Sequence, residues 1–282
     1  MNTIAAWVKR SSIAAIFAVL ALSSSCIRMY QSWNVKQFDR DIQKAGAAIE
    51  AARNDAQRAV AYADRGDAYG EKARYLRVMK LISGEEEYEK LFQLAIQDHN
   101  QAVALDPENA DMYYRRGRVY YDHASLDMIY NPKATAHLIP ARADFSRAVE
   151  KNRKHAMAFD MLGLADSSLG DWTAAIDDFE HEATLNPDSR RYRMSDAYCN
   201  RGSVYLGEKK FDLAVSDLNQ AIQIRSAGDP CECEPYNPLL SIYLTRTHEY
   251  DKARAIAAQA KASKSWIAPE YLEQLKALPV NR

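Results

Sequence analysis

The sequence predicts an all-α solenoid, a row of helical hairpins closed by a capping helix at each end. Two recurring patterns carry that expectation. In one helix of a unit a Gly is followed three residues later by an aromatic, at Gly66/Tyr69, Gly117/Tyr120 and Gly202/Tyr205. In the next helix an Ala is followed four residues on by a bulky residue and three further by a small one. Ala95/His99/Ala102, Ala141/Phe145/Ala148 and Ala214/Leu218/Ala221 are the copies. Gly or Ala lets a neighbouring backbone approach closely, and the bulky residue fills the adjoining gap. Two helices patterned this way cannot bury their apolar face alone and must stack on their neighbours.

Ala156-Met-Ala-Phe159, Leu162-Gly163, Ala175-Ile-Asp-Asp-Phe179 and Asn186-Pro187 resemble a tetratricopeptide repeat, as do Tyr198, Arg201-Gly202, Tyr205, Phe211, Ala214 and Ala221. The Gly-to-Ala spacing is 12 in both, from 163 to 175 and from 202 to 214. Asp106-Pro107-Glu-Asn-Ala110 and Asn186-Pro187-Asp-Ser189 resemble the turns between repeats. The resemblance covers residues 58–263 as five hairpins, 58–109, 110–155, 156–189, 195–228 and 234–263. It implies a right-handed superhelix whose concave groove receives a peptide or protein.

Residues 1–26 are expected to stand outside that array. Lys9-Arg10 precede an apolar run from Ile13 to Leu22 and then Ser23-Ser-Ser-Cys26, the layout of a secretory signal. The run is too short for a comfortable membrane span of about twenty residues. Cys26 resembles the lipidated cysteine of bacterial lipoproteins; cleavage by the ordinary signal peptidase and a retained anchor are the alternatives. Ile27 is not the Asp that often holds such proteins at the inner membrane. The resemblance therefore implies a lipid-anchored, periplasm-facing protein of the bacterial envelope, at the outer membrane in preference, and otherwise a secreted or periplasmic one.

Residues 27–57 comprise a linker and an N-terminal helix. Asn34 through Ala56 are Ala-rich and free of Pro, which predicts one helix covering the first hairpin. From Gly66 the intervals are 51 to Gly117, 46 to Gly163, 39 to Gly202 and 39 to Ser241 in the weakest copy. About 34 residues per repeat are expected for this family. The first excess, Glu71 to Ile82, holds helical residues with no breaker before Ser83-Gly84, and predicts two helices lengthened by about two turns each. The second holds Tyr130-Asn-Pro132 and His137-Leu-Ile-Pro140 and predicts more loop. Both extend the same end of adjacent hairpins, which predicts a crest over residues 71–140. The later excesses fall between repeats, at 190–195 and 228–234. Glu182 stands where the pattern wants a small residue, with Arg190-Arg-Tyr-Arg193 nearby. Residues 264–282 form the C-terminal cap, with Pro269 in its first turn and Tyr271, Leu272, Leu275 and Leu278 on one face.

A net charge of −1 with interleaved acids and bases argues against nucleic-acid binding, which calls for a basic stripe. No enzyme signature stands out. The six histidines are scattered, and His181-Glu182 lacks the second histidine of a metalloprotease helix. Asp177 and Asp178 are adjacent on a helix and point apart. No catalytic residue, cofactor or metal is expected.

The richest surface is Tyr113-Tyr-Arg-Arg-Gly-Arg-Val-Tyr-Tyr121. Tyr113, Gly117 and Tyr120 form the packed stripe. Tyr114, Arg118 and Tyr121 form a second, with Arg115 beside it, which the resemblance places on the groove. Two aromatics bracketing an arginine suit recognition; the alternative is that the tyrosines pack on the long first hairpin. By the same register Asp160, Leu164, Asn200 and Ser203 lie along the groove. Asn200 stands where some family members grip a terminal carboxylate. Tyr114, Arg118, Asp160 and Leu164 are not the Lys and Asn that would complete that grip, so an internal peptide segment or a folded partner fits better.

With Cys26 lipidated, Cys199, Cys231 and Cys233 remain. Cys199 could pair with either of the other two, since a bridge between Cys231 and Cys233 closes a strained ring. Free thiols are the alternative, and a metal site would need more ligands. The expectation is a non-catalytic scaffold or adaptor with a protein or peptide partner, a membrane attachment through its lipid, and no nucleic acid. An assembly subunit docking through residues 71–140, or a thiol redox or metal protein using the three cysteines, are the alternatives.

Overall fold

The computed structural model describes residues 34–79, 85–130, 135–187, 191–225 and 233–278, and every regular element among them is a helix. The leader with Cys26, Ser83-Gly84, Pro132, Arg190 and Cys231 lie outside the described residues. The chain divides at Leu126 into two units.

In the first unit, α1 covers residues 34–51, and α2 (Asp55–Val78), α3 (Glu85–Leu105) and the start of α4 (Ala110–Tyr130) follow. The helix predicted from Asn34 through Ala56 breaks at 52–54, because the Asn54 side chain accepts a hydrogen bond from Gln57 N (2.8 Å) and caps α2. Asp55 in the first turn and Arg77 in the last complement the α2 dipole. The buried side of α2 is Ala59, Ala61, Ala63, Gly66, Ala68, Ala73 and Leu76, small enough to admit α3 closely. At Gly66 a Cβ would lie 2.8 Å from His99 Cδ2 and 3.1 Å from the Ala95 carbonyl, so the close approach demands glycine. α2 has 24 residues and α3 has 21, against 14 in each of the later α6 and α7. α1 lies on the far part of α2, through Lys72–Asp39 (2.7 Å), Asn34 to Tyr75 OH (3.1 Å) and Phe38 against Tyr75.

The second unit holds α5 (Leu138–Lys151), α6 (Ala156–Leu169), α7 (Trp172–Leu185), α8 (Tyr192–Gly207), α9 (Phe211–Ile224), α10 (Tyr236–Thr245), α11 (Tyr250–Ala262) and α12 (Pro269–Ala277). The stretch expected to be loop-like is shorter than predicted. α4 continues to Tyr130, and Pro140 sits in the first turn of α5, where a missing N–H costs nothing. Added Cβ atoms would meet Phe179 at 2.7 Å from Gly163 and Leu218 at 2.9 Å from Gly202. The α6–α7 turn is made by Gly170 (φ 82°) and by Asp171, which caps α7 through Ala174 N. A disulfide joins Cys199 of α8 to Cys233 just ahead of α10. On α12, Tyr271, Leu275 and Leu278 pack onto the α10–α11 core, whereas Leu272, assigned to the same face, is 40% exposed. The spacing explains it: 271, 275 and 278 repeat at i, i+4 and i+7, and 272 is a step of about 100° away.

Candidate functional site

The first unit carries a concave surface. α2, α3 and α4 enclose a cleft of about 430 Å³, counting the part open to solvent. Its floor is Tyr88, Phe92, Val119 and Leu126; its rim carries Arg74, Arg118, Asp67 and Asp122. α2 and α4 approach closely at Gly70, where a Cβ would be 3.3 Å from Val119. His123 is stacked on Tyr88 and touches Phe92, with Nε2 3.1 Å from Glu89.

A polar relay supports one wall. Arg115 reaches Asp64 at 2.6 Å and, through Nε, Asp67 at 2.8 Å; His99, wholly buried, places Nε2 3.3 Å from Asp67. Burial pushes the Asp67 carboxyl up, but the neighbouring His99 imidazole and the Arg115 charge outweigh it and hold the carboxyl below its ordinary range. Asp122 goes the other way. Its burial raises it, and Arg118 and Arg74 offset only part of that.

The groove residues expected from sequence divide by environment. Tyr114 is 9% exposed, a core residue in effect, and Arg115 is committed to the two aspartates. Arg118 lines the cleft and Tyr121 is half-buried. In the second unit, Asp160 is ion-paired with Arg193, and Leu164 packs on the Ala175–Ile176 cluster. Asn200 donates to Asp196 O and Ser203 to Cys199 O, each at 2.9 Å along its own helix. Glu182 accepts from Asn186 Nδ2 (3.2 Å), while Arg193 goes to Asp160.

Sequence reasoning missed a recurring clamp. Arg65, one residue before Gly66, donates two hydrogen bonds to Asp98 (2.7 and 2.8 Å), and Arg201, one before Gly202, does the same to Asp217 (2.7 and 3.0 Å). A tyrosine lies under each guanidinium, Tyr62 at 5.5 Å and Tyr198 at 5.4 Å. Reading Tyr-x-x-Arg-Gly-x-x-Tyr instead of Gly-x-x-Tyr would have found it. Among the described residues, no three His, Cys, Asp or Glu converge as a metal site, and no helix is long and apolar enough to cross a membrane.

A family model described as TPR repeat matches residues 92–123, and one described as tetratricopeptide repeat matches 195–227. Human serine/threonine-protein phosphatase 5 is 26% identical over 127 residues, 45% of this chain and 22% of that protein. The Rattus norvegicus counterpart is 25% identical over 127 residues, again 45% of this chain and 22% of that protein. The match thus spans about a fifth of these curated relatives. Among solved structures, MamA is similar at 24% identity and a TM-score of 0.43, covering 67% of this chain and 89% of MamA. BtubC from P. vanneervenii is similar at 13% identity and a TM-score of 0.48, covering 89% and 94%.

Proposed function

The chain carries tetratricopeptide repeats, and from that premise we propose that it is a non-catalytic scaffold binding a protein or peptide partner. We further propose, from the leader sequence, that lipid on Cys26 holds it at a bacterial envelope, facing the periplasm. The observation that carries the binding reading is the α2–α4 cleft, where Tyr88 and Phe92 form an aromatic floor below Arg74 and Arg118. Aromatic and arginine side chains supply contact area and directed hydrogen bonds together, which is what recognition surfaces are enriched in. A helical scaffold already ordered by stacking loses little entropy on binding.

The test is crosslinked capture from envelope membranes, wild type beside the Arg74→Ala/Arg118→Ala double variant. Partners lost only from the variant, with melting unchanged, support the cleft. Partners kept by both overturn it. Cys26→Ser addresses the anchor: release from the membrane fraction supports lipidation, and unchanged fractionation overturns it. The length of α2 and α3 favours one second reading, in which the extended first hairpin docks to an assembly.

A further inference from the structure

The last hairpin leaves a groove that the array does not fill. It lies between α11 and α12 and measures about 720 Å³, counting the part open to solvent, against about 430 Å³ for the first-unit cleft. Ala257, Ala258, Ile267 and Leu272 make its apolar lining, and Lys261 and Ser265 add the polar part. α12 buries none of its residues fully and lies chiefly against α10, so this side of α11 stays open.

Trp266 adjoins that groove, between the lining residues Ser265 and Ile267, and is 65% exposed. Its backbone is tied on both sides. Lys264 (φ 58°) turns the chain out of α11, with Ser265 N donating to Ala260 O at 2.9 Å. Asn237 of α10 then brackets Trp266: its Nδ2 donates to Trp266 O (3.2 Å) and its Oδ1 accepts from Ala268 N (2.9 Å). A tryptophan held outward on a tied backbone keeps most of its apolar area in water, a standing cost that contact with a partner removes.

We propose that this face rests on an anionic lipid surface, with Trp266 and Leu272 reaching the acyl region and Lys261 and Lys264 lying at the phosphates. The charges favour lipid. Lys252, Arg254 and Lys276 are paired with Glu249, Asp251 and Glu273. Lys261 and Lys264 enter none of the ion pairs among the described residues, which leaves two cations beside the groove for an anionic partner. The nearest acid in sequence, Glu270, sits in the first turn of α12, about 200° round the helix from Leu272. Both cations are lysines, in which protein–protein interfaces are depleted. Trp and Lys together instead suit a membrane–water boundary, where the lysine stem lies along apolar surface and its ammonium stays wet. The first-unit cleft, with arginines on its rim, has the opposite makeup. Only the presence of a bilayer within reach is taken from the proposed envelope location.

The test uses the full chain with Cys26→Ser, so that no anchor lipid is attached and failure of the anchor is read separately, by membrane fractionation. The chain is mixed with phosphatidylglycerol vesicles whose acyl chains are brominated, which quench tryptophan on contact. It has four tryptophans, so the emission of Trp266 is the difference from Trp266→Phe. That difference should shift to the blue and be quenched. Half-quenching should need about fivefold more lipid for each lysine removed in Lys261→Gln and Lys264→Gln. All three side chains are exposed, so these variants leave the core intact. The proposal is overturned if Trp266 stays unquenched, which leaves a protein as the occupant of the groove. It is equally overturned if brominated phosphatidylcholine vesicles quench as well, or if the lysine double variant needs no more lipid than the parent.

Discussion

The α6–α7 and α8–α9 hairpins share a backbone register and differ in what flanks it. Both are closed by a glycine against a large side chain, Gly163 on Phe179 and Gly202 on Leu218. Beside that contact, α8–α9 has Arg201 forked onto a buried Asp217 between Tyr198 and Tyr205, whereas α6–α7 has Leu162, Asp166 and Asp178. The small-against-large contact sets how near the helices lie, and the polar residues next to it can change sign and chemistry. One hairpin carries a forked arginine–aspartate pair of its own; the other has a leucine in place of that arginine, and its buried Asp166 takes its cation, Arg142, from α5.

α8–α9 is also tied covalently to the segment just ahead of α10, and among the described residues α6–α7 has no such tie to a neighbour. Cys199→Ser should give the largest loss, about 3 to 4 kcal/mol for the 34 residues between Cys199 and Cys233. Denaturant melts with and without reductant read it directly. A loss that is the same when both proteins are reduced would show that the serine, and not the missing bridge, is responsible. Next comes the clamp. Arg201→Met strands Asp217 in a nearly buried position and should cost about 3 kcal/mol, most of it recovered by adding Asp217→Leu. A single variant that melts with the wild type would make the clamp irrelevant to the difference between the hairpins.

The helical hairpins were legible because their signal is local and periodic. Gly66, Gly163 and Gly202 can be found by spacing, and each lies where a Cβ would collide with the next helix. The candidate site was less legible. Tyr114 and Tyr121 lie about two helical turns apart on one stripe of α4, and nothing in the local sequence tells that the first is core and the second half-buried. Arg115 was assigned to the groove, yet its partners Asp64 and Asp67 are about fifty residues earlier, beyond any local pattern. The Arg142–Asp166 pair was hidden in the same way, because its two residues stand on different helices, α5 and α6.

Smaller effects sharpen the comparison of the two glycines. Alanine relieves a helix of glycine's conformational cost, but here its Cβ meets Phe179 at 2.7 Å in one hairpin and Leu218 at 2.9 Å in the other. Gly163→Ala and Gly202→Ala should each cost about 1 to 2 kcal/mol net, with Gly163 the worse, because a flat ring wedged between helices has fewer ways to yield than a leucine. Chemical denaturation of the two variants side by side checks the order. A more stable Gly163→Ala would mean that Phe179 moves freely and the hairpin is loosely packed.

The smallest expected effect lies in the turns. α6 ends at Gly170 (φ 82°), with Asp171 N donating to Asp166 O at 2.9 Å. α8 ends in the same way, with Lys210 N donating to Tyr205 O at 2.9 Å, but the left-handed residue is Lys209 (φ 61°). A Cβ in that conformation costs about 1 to 2 kcal/mol, and glycine's extra freedom in the unfolded chain takes back part of the relief. Lys209→Gly should therefore stabilise the second unit by under about 1 kcal/mol, a rise of about 2 °C in Tm for a chain of this size. Gly170→Ala should lower Tm by a similar amount. Because Lys209 is exposed, its side chain supplies no buried contact to lose. A fall in Tm for Lys209→Gly would show that the two turns are not equivalent, and that the α8–α9 hairpin draws on its lysine as well as its clamp.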